Sequence, residues 1–280
     1  MIRGCSLAAG VAFGLLGTAE GAVSVPKAVT RQAVEILSRS VAFKTVEGEG
    51  QVPAYAAYLA DVLKAGGYAA GDIEIVPSGE TAVLIARYRG SGNGAKKPIL
   101  LSGHMDVVAA RAEDWGRDPF KMTEDKRFYF GRGVDDNKFD VSMMVATLVR
   151  LKSEGFAPSR DLVLALSGDE ETAQSSTDIL AQRLKDADFV LNGDTGGGEL
   201  GDDGKAVVYG VQAAEKTYAD FEITFVNQGG HSSRPRKDNA IYSLARAIER
   251  IAAYEFPVQA SELTREYFRV MARQTPGDLG

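Results

Sequence analysis

Cysteine, histidine and tryptophan are scarce in this chain of 280 residues, which contains one Cys, two His and one Trp. The single cysteine, Cys5, excludes an intrachain disulfide and also excludes a zinc site built on several cysteines. A metal site in this chain would therefore use carboxylates together with the two histidines, His104 and His231.

Basic residues are fewer than acidic ones, with 32 Lys and Arg against 38 Asp and Glu. The formal net charge is −6 and the isoelectric point is near 5.2, which argues against a nucleic-acid-binding protein. An acidic composition is compatible with a protein that gathers carboxylates around cations. We therefore expect no nucleic-acid partner.

Long apolar runs are confined to the N-terminus. Arg3 precedes an apolar stretch at residues 7–16, and small residues at 18–22 are typical of a cleavage region. The stretch is too short to span a bilayer comfortably. We predict a signal peptide at residues 1–22 and secretion, most simply into a bacterial periplasm, with no membrane association after cleavage. A buried N-terminal helix is the alternative.

Beyond residue 22 the chain alternates between helical and strand-like patterns. Apolar residues at helical spacing predict helices at residues 29–38, 52–65, 140–154 and 175–184. Apolar or alternating segments predict strands at residues 73–76, 81–88, 98–102, 161–167 and 189–191. This order predicts an α/β fold, a mixed sheet with helices on both faces. In such sheets, sites gather at the carboxyl ends of strands.

The pattern changes near residue 213. An alternating segment at 218–225 predicts a solvent-facing strand, and residues 239–254 and 261–273 predict amphipathic helices. We therefore predict a larger domain at residues 23–213 and part of a smaller α+β domain at residues 214–280.

A histidine and an aspartate follow the buried strand at residues 98–102. His104 can bind a metal through one ring nitrogen, while Asp106 orients the ring through the other. The alternative is an ordinary loop with a hydrogen-bonded histidine, because a His-x-Asp tripeptide alone is common.

Acidic side chains follow further along the chain. Asp136 lies in a glycine-bearing loop that lacks phosphate-binding spacing, and it could instead bridge two cations. Glu170 and Glu171 end a buried strand, where one could bind a metal and the other act as a general base. Asp194 follows the next strand. For the two glutamates the alternative is a solvated acidic turn, and for Asp194 the alternative is a simple Asx turn. One imidazole with several carboxylates suits zinc, or manganese or cobalt.

The order of these motifs resembles the M20 family of co-catalytic metallopeptidases and amidohydrolases. The resemblance rests on residues 103–108, Trp115, residues 118–120, Gly131-Arg132-Gly133 with Asp136 and Lys138, residues 169–171, Asp194, and residues 230–235 followed by 239–241. It implies a co-catalytic zinc exopeptidase-like fold with a lid or dimerisation domain. It also implies hydrolysis of an amide, peptide or N-acyl amino acid bond by metal-activated water.

Carried over by position, the resemblance implies a role for each site residue. His104 and Asp194 would hold one zinc ion, Glu171 would hold a second, and Asp136 would bridge them. Glu170 would be the general base and acid, and Asp106 would orient His104. His231, in the lid, would reach the substrate carbonyl, often across a homodimer. A cis peptide between Asp136 and Asn137 is also implied. The expected substrate is a small peptide or an N-acyl amino acid.

The sequence departs from the family pattern at two points. Phe139 stands where the family usually has glycine. A further metal-binding histidine, which the family supplies after the lid, is absent, because both histidines are already assigned. We therefore expect an N-terminal portion of such an enzyme. The alternatives are an inactive fragment that binds one metal, and a metal-free binding protein using the turn at residues 196–198; the latter lacks phosphate-binding spacing.

Overall fold

The computed structural model describes residues 26–274, except residues 93, 127, 196, 202, 216 and 232. The predicted signal peptide at residues 1–22 lies outside the described residues. Backbone contacts divide the chain into two compact units, of which the larger ends at Thr195. The predicted domain boundary between residues 213 and 214 stays a prediction, because compactness alone does not assign a domain.

The larger unit contains five helices and seven strands among its described residues. The helices are α1 (Lys27–Val41), α2 (Val52–Ala65), α3 (Ala112–Trp115), α4 (Lys138–Ser153) and α5 (Ser175–Arg183), with a short 3-10 helix at Ala70–Asp72. The strands are β1 (Ile73–Ser78), β2 (Thr81–Tyr88), β3 (Ile99–His104), β4 (Thr123–Asp125), β5 (Phe128–Phe130), β6 (Leu162–Ser167) and β7 (Phe189–Asn192).

Five strands form one mixed sheet in the order β1-β2-β6-β3-β7. The pairs β1·β2 and β2·β6 are antiparallel, whereas β3 pairs in parallel with both β6 and β7. Strands β4 and β5 form a separate hairpin. The predicted α/β class with a mixed sheet is confirmed.

The two faces of the sheet bury alternate residues, as the two-residue period of a strand requires. One face carries Leu84 and Leu166 into a core shared with α1, α2 and α4. The other face carries Val83 and Val163 into a smaller core with Leu180 of α5. Helices therefore cover both faces. Each fully buried Leu or Val contributes about 1.5–3 kcal/mol relative to an exposed side chain.

The sequence patterns missed the shortest elements. Helix α3 and strands β4 and β5 have three or four residues each, too few to show a period. The predicted helices and strands of the larger unit are otherwise present, with boundaries shifted by a few residues.

The smaller unit contains a hairpin and two helices among its described residues. These are β8 (Gly197–Leu200), β9 (Ala206–Gly210), α6 (Ala240–Ala252) and α7 (Glu262–Gln274). The helices confirm the two predicted there, whereas the hairpin was not predicted.

The strand predicted at residues 218–225 is wrong, because the structure gives this segment no strand. Alternation predicts which side chains share a face, but a strand also requires a neighbour to accept and donate its backbone hydrogen bonds. No described residue pairs with this segment, and Tyr218 and Phe221 are 75% and 87% exposed.

Within the described part of the chain, every helix is too short or too polar to cross a bilayer.

Close packing behind β6 generates a stability prediction. A Cβ atom on Gly168 would lie 2.5 Å from the Ala82 carbonyl oxygen and 2.6 Å from Val52 Cγ1. We expect Gly168→Ala to lower the free energy of unfolding by about 1–3 kcal/mol, as overpacking typically does. Urea unfolding followed by circular dichroism measures this change.

Gly71→Ala is the matched control, since a Cβ atom there meets nothing within 4 Å. Its free energy of unfolding should change by no more than about 0.5 kcal/mol. Equal effects of the two substitutions would contradict the packing argument.

Candidate metal centre

The carboxyl ends of three neighbouring strands deliver most of the predicted site residues. His104 is the last residue of β3, Glu170 and Glu171 follow β6, and Asp194 follows β7. Because β6, β3 and β7 run parallel, these ends lie at the same edge of the sheet. Asp136 reaches this edge from the loop before α4.

The imidazole of His104 is the centre of the cluster. Its Nε2 lies 2.8 Å from Asp136 Oδ1 and 3.2 Å from Asp194 Oδ1, and the residue is 2% exposed. One ligand atom from each of His104, Asp136 and Glu171 lies within 4.8 Å of the others. The same holds for His104, Glu170 and Asp194. The structure therefore brings together the five residues predicted as metal ligands and general base.

Asp106 does more than the sequence predicted. The other ring nitrogen of His104, Nδ1, lies 3.1 Å from the backbone carbonyl oxygen of Asp106 and 3.4 Å from its carboxylate. The buried carboxylate accepts hydrogen bonds from the backbone N–H groups of Glu170, at 3.1 Å, and Glu171, at 2.9 Å. Asp106 therefore connects the imidazole to the turn that carries both glutamates.

Asp169 holds the other side of that turn. Its carboxylate accepts hydrogen bonds from the backbone N–H groups of Ser175, at 3.0 Å, and Ser176, at 2.9 Å, in the first turn of α5. Burial raises the pKa of Asp169, but hydrogen bonds from both serines outweigh this and hold the pKa below its usual range. Of the three consecutive acids, the first is thus a structural anchor.

The cluster favours positive charge at its centre. Burial lowers the pKa of His104, but hydrogen bonds with Asp106, Asp136 and Asp194 raise it to about 12 overall. The hydrogen bond from His104 is the main reason that the pKa of Asp136 is lowered. Several carboxylates around one imidazole therefore form a site that a cation stabilises.

The two glutamates have the opposite tendency. Burial, followed by the charge of Asp136, raises the pKa of Glu171 to about 7. Burial also raises the pKa of Glu170, and the neighbouring carboxylates Asp194 and Asp106 add to the effect. A carboxyl group with a raised pKa is suited to accept and return a proton near neutral pH.

The family resemblance also implied a cis peptide and a histidine in the lid. The peptide between Asp136 and Asn137 is cis, as the family resemblance implied. His231 lies in the smaller unit, is exposed, and pairs its Nδ1 with the Ser233 hydroxyl at 2.8 Å. The predicted contact of His231 with a substrate carbonyl stays a prediction.

Comparison with known proteins decides the family. A sequence model described as Peptidase family M20/M25/M40 matches residues 100–278, more than half of the chain. The chain belongs to this family. The Gly-His-Met-Asp and Asp-Glu-Glu motifs that carry the site both lie within the matched stretch.

Curated relatives within this family are considerably longer than the stretch they share with this chain. Carboxypeptidase S of Saccharomyces cerevisiae is 33% identical over 57% of this chain and 30% of its own length. A probable succinyl-diaminopimelate desuccinylase of Staphylococcus aureus is 35% identical over 55% and 36%, respectively. The N-fatty-acyl-amino acid synthase/hydrolase PM20D1 of Mus musculus is 31% identical over 58% and 33%. The chain thus spans about a third of the length of these relatives.

Solved structures support the fold. The di-peptidase Dug1p from Saccharomyces cerevisiae aligns with a TM-score of 0.54 at 23% identity, over 62% of this chain and 40% of that one. Human carnosine dipeptidase 1 aligns with a TM-score of 0.51 at 22% identity, over 60% and 40%. These alignments extend the family assignment to the three-dimensional fold.

The two hydrogen bonds accepted by the buried Asp106 carboxylate generate a prediction. In Asp106→Asn one acceptor oxygen becomes an amide donor that faces a backbone N–H. We expect the free energy of unfolding to fall by about 1–3 kcal/mol, the usual cost of an unsatisfied buried group. Asp118→Asn is the control, because its carboxylate accepts one N–H bond, from Phe120, at an exposed site. Equal losses in urea unfolding would contradict the role of Asp106.

The raised pKa of His104 generates a prediction about pH. The metal-free chain should keep His104 as an imidazolium well above about pH 6.5, the usual value for histidine in an unfolded chain. The stabilisation from this proton is therefore complete below that value and is lost as the pH rises through the folded pKa of about 12.

Nuclear magnetic resonance of the histidine Cε1 groups measures this directly, because the chain has two histidines and His231→Asn assigns the signals. A His104 signal that titrates near about pH 6.5 would refute the prediction.

Proposed function

We propose that this chain carries the metal-binding and proton-transferring residues of a hydrolase that cleaves an amide, peptide or N-acyl amino acid bond. The observation that carries the proposal is the convergence of His104, Asp136, Glu170, Glu171 and Asp194 at one edge of the sheet. Membership of the M20 peptidase family supports the reaction class.

The donor set fits a transition-metal cation. One imidazole nitrogen and several carboxylate oxygens lie close enough together to bind the same cation, and most of these ligand atoms are carboxylate oxygens. In the proposal His104 and Asp194 would hold one ion, Glu171 would hold a second, and Asp136 would be shared between them. Zinc is the proposed metal, and manganese and cobalt can use the same ligands.

The metals and the chain have separate tasks. When bound, such ions supply Lewis-acid chemistry that polarises the substrate carbonyl and makes water a better nucleophile. Glu170 accepts the proton of the attacking water and then donates it to the departing amine. Asp106 keeps His104 and the Glu170–Glu171 turn in place. His231 is proposed to contact the substrate carbonyl oxygen from the lid domain.

The substrate class is proposed from the relatives. Their names refer to a carboxypeptidase, a succinyl-diaminopimelate desuccinylase and an N-fatty-acyl-amino acid hydrolase. A small peptide or an N-acyl amino acid is common to this range. Export directed by the predicted signal at residues 1–22 and a homodimer through the lid domain are also part of the proposal.

A second candidate is a metal-binding chain that does not turn over substrate. The ligand set of the proposed second ion favours it, because Glu171 and Asp136 supply no imidazole. His104, Asp194 and Asp136 provide three ligands, which are enough for a catalytic-type zinc. The chain by itself is then expected to bind about one zinc ion tightly and to hydrolyse little substrate.

Metal analysis of the purified chain, combined with a hydrolysis assay on dipeptides and N-acyl amino acids, tests both candidates. Glu170→Gln should retain the metal and the fold, whereas Glu171→Gln should lower the occupancy of one metal, the proposed second ion. In an enzyme of full family length, Glu170→Gln should reduce turnover by about 10²–10⁴-fold, because Gln cannot accept the proton.

Three results would each refute one part of these proposals. Failure of the chain to bind zinc, cobalt or manganese would refute the metal centre. Wild-type turnover by Glu170→Gln would refute the assignment of the base. Two tightly bound zinc ions with robust turnover would refute the second candidate.

A further inference from the structure

We infer that Asn137 is a positioning residue, whose side chain holds the segments carrying His104, Asp136 and Asp194 in a fixed relation. The inference rests on the proposed metal centre. Asn137 follows Asp136 directly in sequence and is 1% exposed. Its side chain is therefore surrounded by protein and not by solvent.

The hydrogen bonds of Asn137 lead to both strand ends. Its Oδ1 accepts from the backbone N–H of His104 at 3.1 Å. Its Nδ2 donates to the backbone carbonyl oxygen of Gly193 at 3.1 Å, and to Asp140 Oδ2 at 3.2 Å. An asparagine side chain has one carbonyl acceptor and two N–H donors, and here it connects β3, the residue after β7, and α4.

Two glycines show how closely these segments approach. Gly103 precedes His104, and a Cβ atom there would lie 2.6 Å from Asn137 Oδ1. Gly193 precedes Asp194, and a Cβ atom there would lie 2.6 Å from Met144 Cε and 2.7 Å from Asp140 Cβ. The N-terminal part of α4, including its N-cap residue Asn137, thus lies directly against the two glycines that precede His104 and Asp194.

The ordinary role of an asparagine at a helix start would be to cap the helix. Asn137 is the N-cap residue of α4, but its side chain makes no capping hydrogen bond. Its polar atoms are directed to the ligand-bearing segments instead. The segments at the ends of β3 and β7 already pair along the sheet, and the Gly193 N–H extends this pairing by donating to the Ser102 carbonyl oxygen at 2.9 Å. Asn137 adds the connection to the Asp136 loop.

The loss of Asn137 should therefore affect the metal more than the fold. Partners that orient metal ligands typically change metal affinity by about 10–100-fold when they are replaced. Asn137→Leu, which has a similar shape but no polar atoms, should weaken Co²⁺ binding by about that factor. Asn137→Ala removes the same hydrogen bonds with a smaller side chain, so it should weaken Co²⁺ binding by a similar factor.

Titration of the purified, metal-free chain with Co²⁺ tests the inference, with the visible absorption spectrum reporting ligand geometry. Asn192→Leu is the matched control, because Asn192 is an exposed asparagine two residues before Asp194. It should leave Co²⁺ affinity and spectrum unchanged. Urea unfolding of each metal-free variant measures the fold separately. A purely structural residue would change stability while leaving the affinity and spectrum of the folded variant intact.

The outcomes separate the inference from the proposed function. Weaker Co²⁺ binding and an altered spectrum in Asn137→Leu, with Asn192→Leu unchanged, support the inference. Wild-type affinity and spectrum in folded Asn137→Leu overturn it while leaving the metal centre intact. Failure of the wild-type chain to bind Co²⁺ overturns both. If Asn137→Leu does not fold, the affinity and spectrum of Asn137→Ala decide by the same criterion.

Discussion

The parallel pairing of β3 with β6 and β7 is the constraint on which the site depends. Parallel neighbours end at the same edge, so His104, the Glu170–Glu171 turn and Asp194 arrive there without any long loop. Each residue lies at or within four residues of a strand end. The antiparallel strands β1 and β2 extend the sheet on the side away from β7 and contribute burial rather than ligands. In this mixed sheet the parallel strands carry the site residues, and the antiparallel strands add buried surface.

Bringing these carboxylates together has an electrostatic cost, and the fold offsets it with backbone N–H groups. Asp106 and Asp169 each accept two backbone N–H bonds and together fix the turn that carries the glutamates. The imidazole of His104 offsets part of the remaining repulsion. Glu170 and Glu171 receive less compensation, which is why burial raises their pKa values. The site therefore combines acids anchored by backbone N–H groups with acids whose pKa values are raised.

The sequence predicted the members of the site but not the contacts that hold them. Strand ends, motif order and family resemblance depend on local patterns, and they pointed to His104, Asp136 and Asp194. The carboxylate of Asp106 and the amide of Asn137 reach backbone groups far away in sequence. Such contacts depend on side-chain direction in the folded chain. The failed strand prediction at residues 218–225 has a similar cause, because a pairing partner is not visible in a segment's own pattern.

The position of β7 has a consequence for how metal binding affects local stability. This strand has four residues, occupies the edge of the sheet, and pairs only with β3 among the described residues. Phe189, Val190 and Leu191 are each about half exposed. Elements with little burial open locally at a lower free energy than the core. Of the proposed ligands that follow strands, Asp194 therefore follows the exposed edge strand, whereas His104 belongs to an interior strand. Part of the binding free energy of a metal would be used to hold the edge strand closed, which couples occupancy of the site to local unfolding of one side of the sheet.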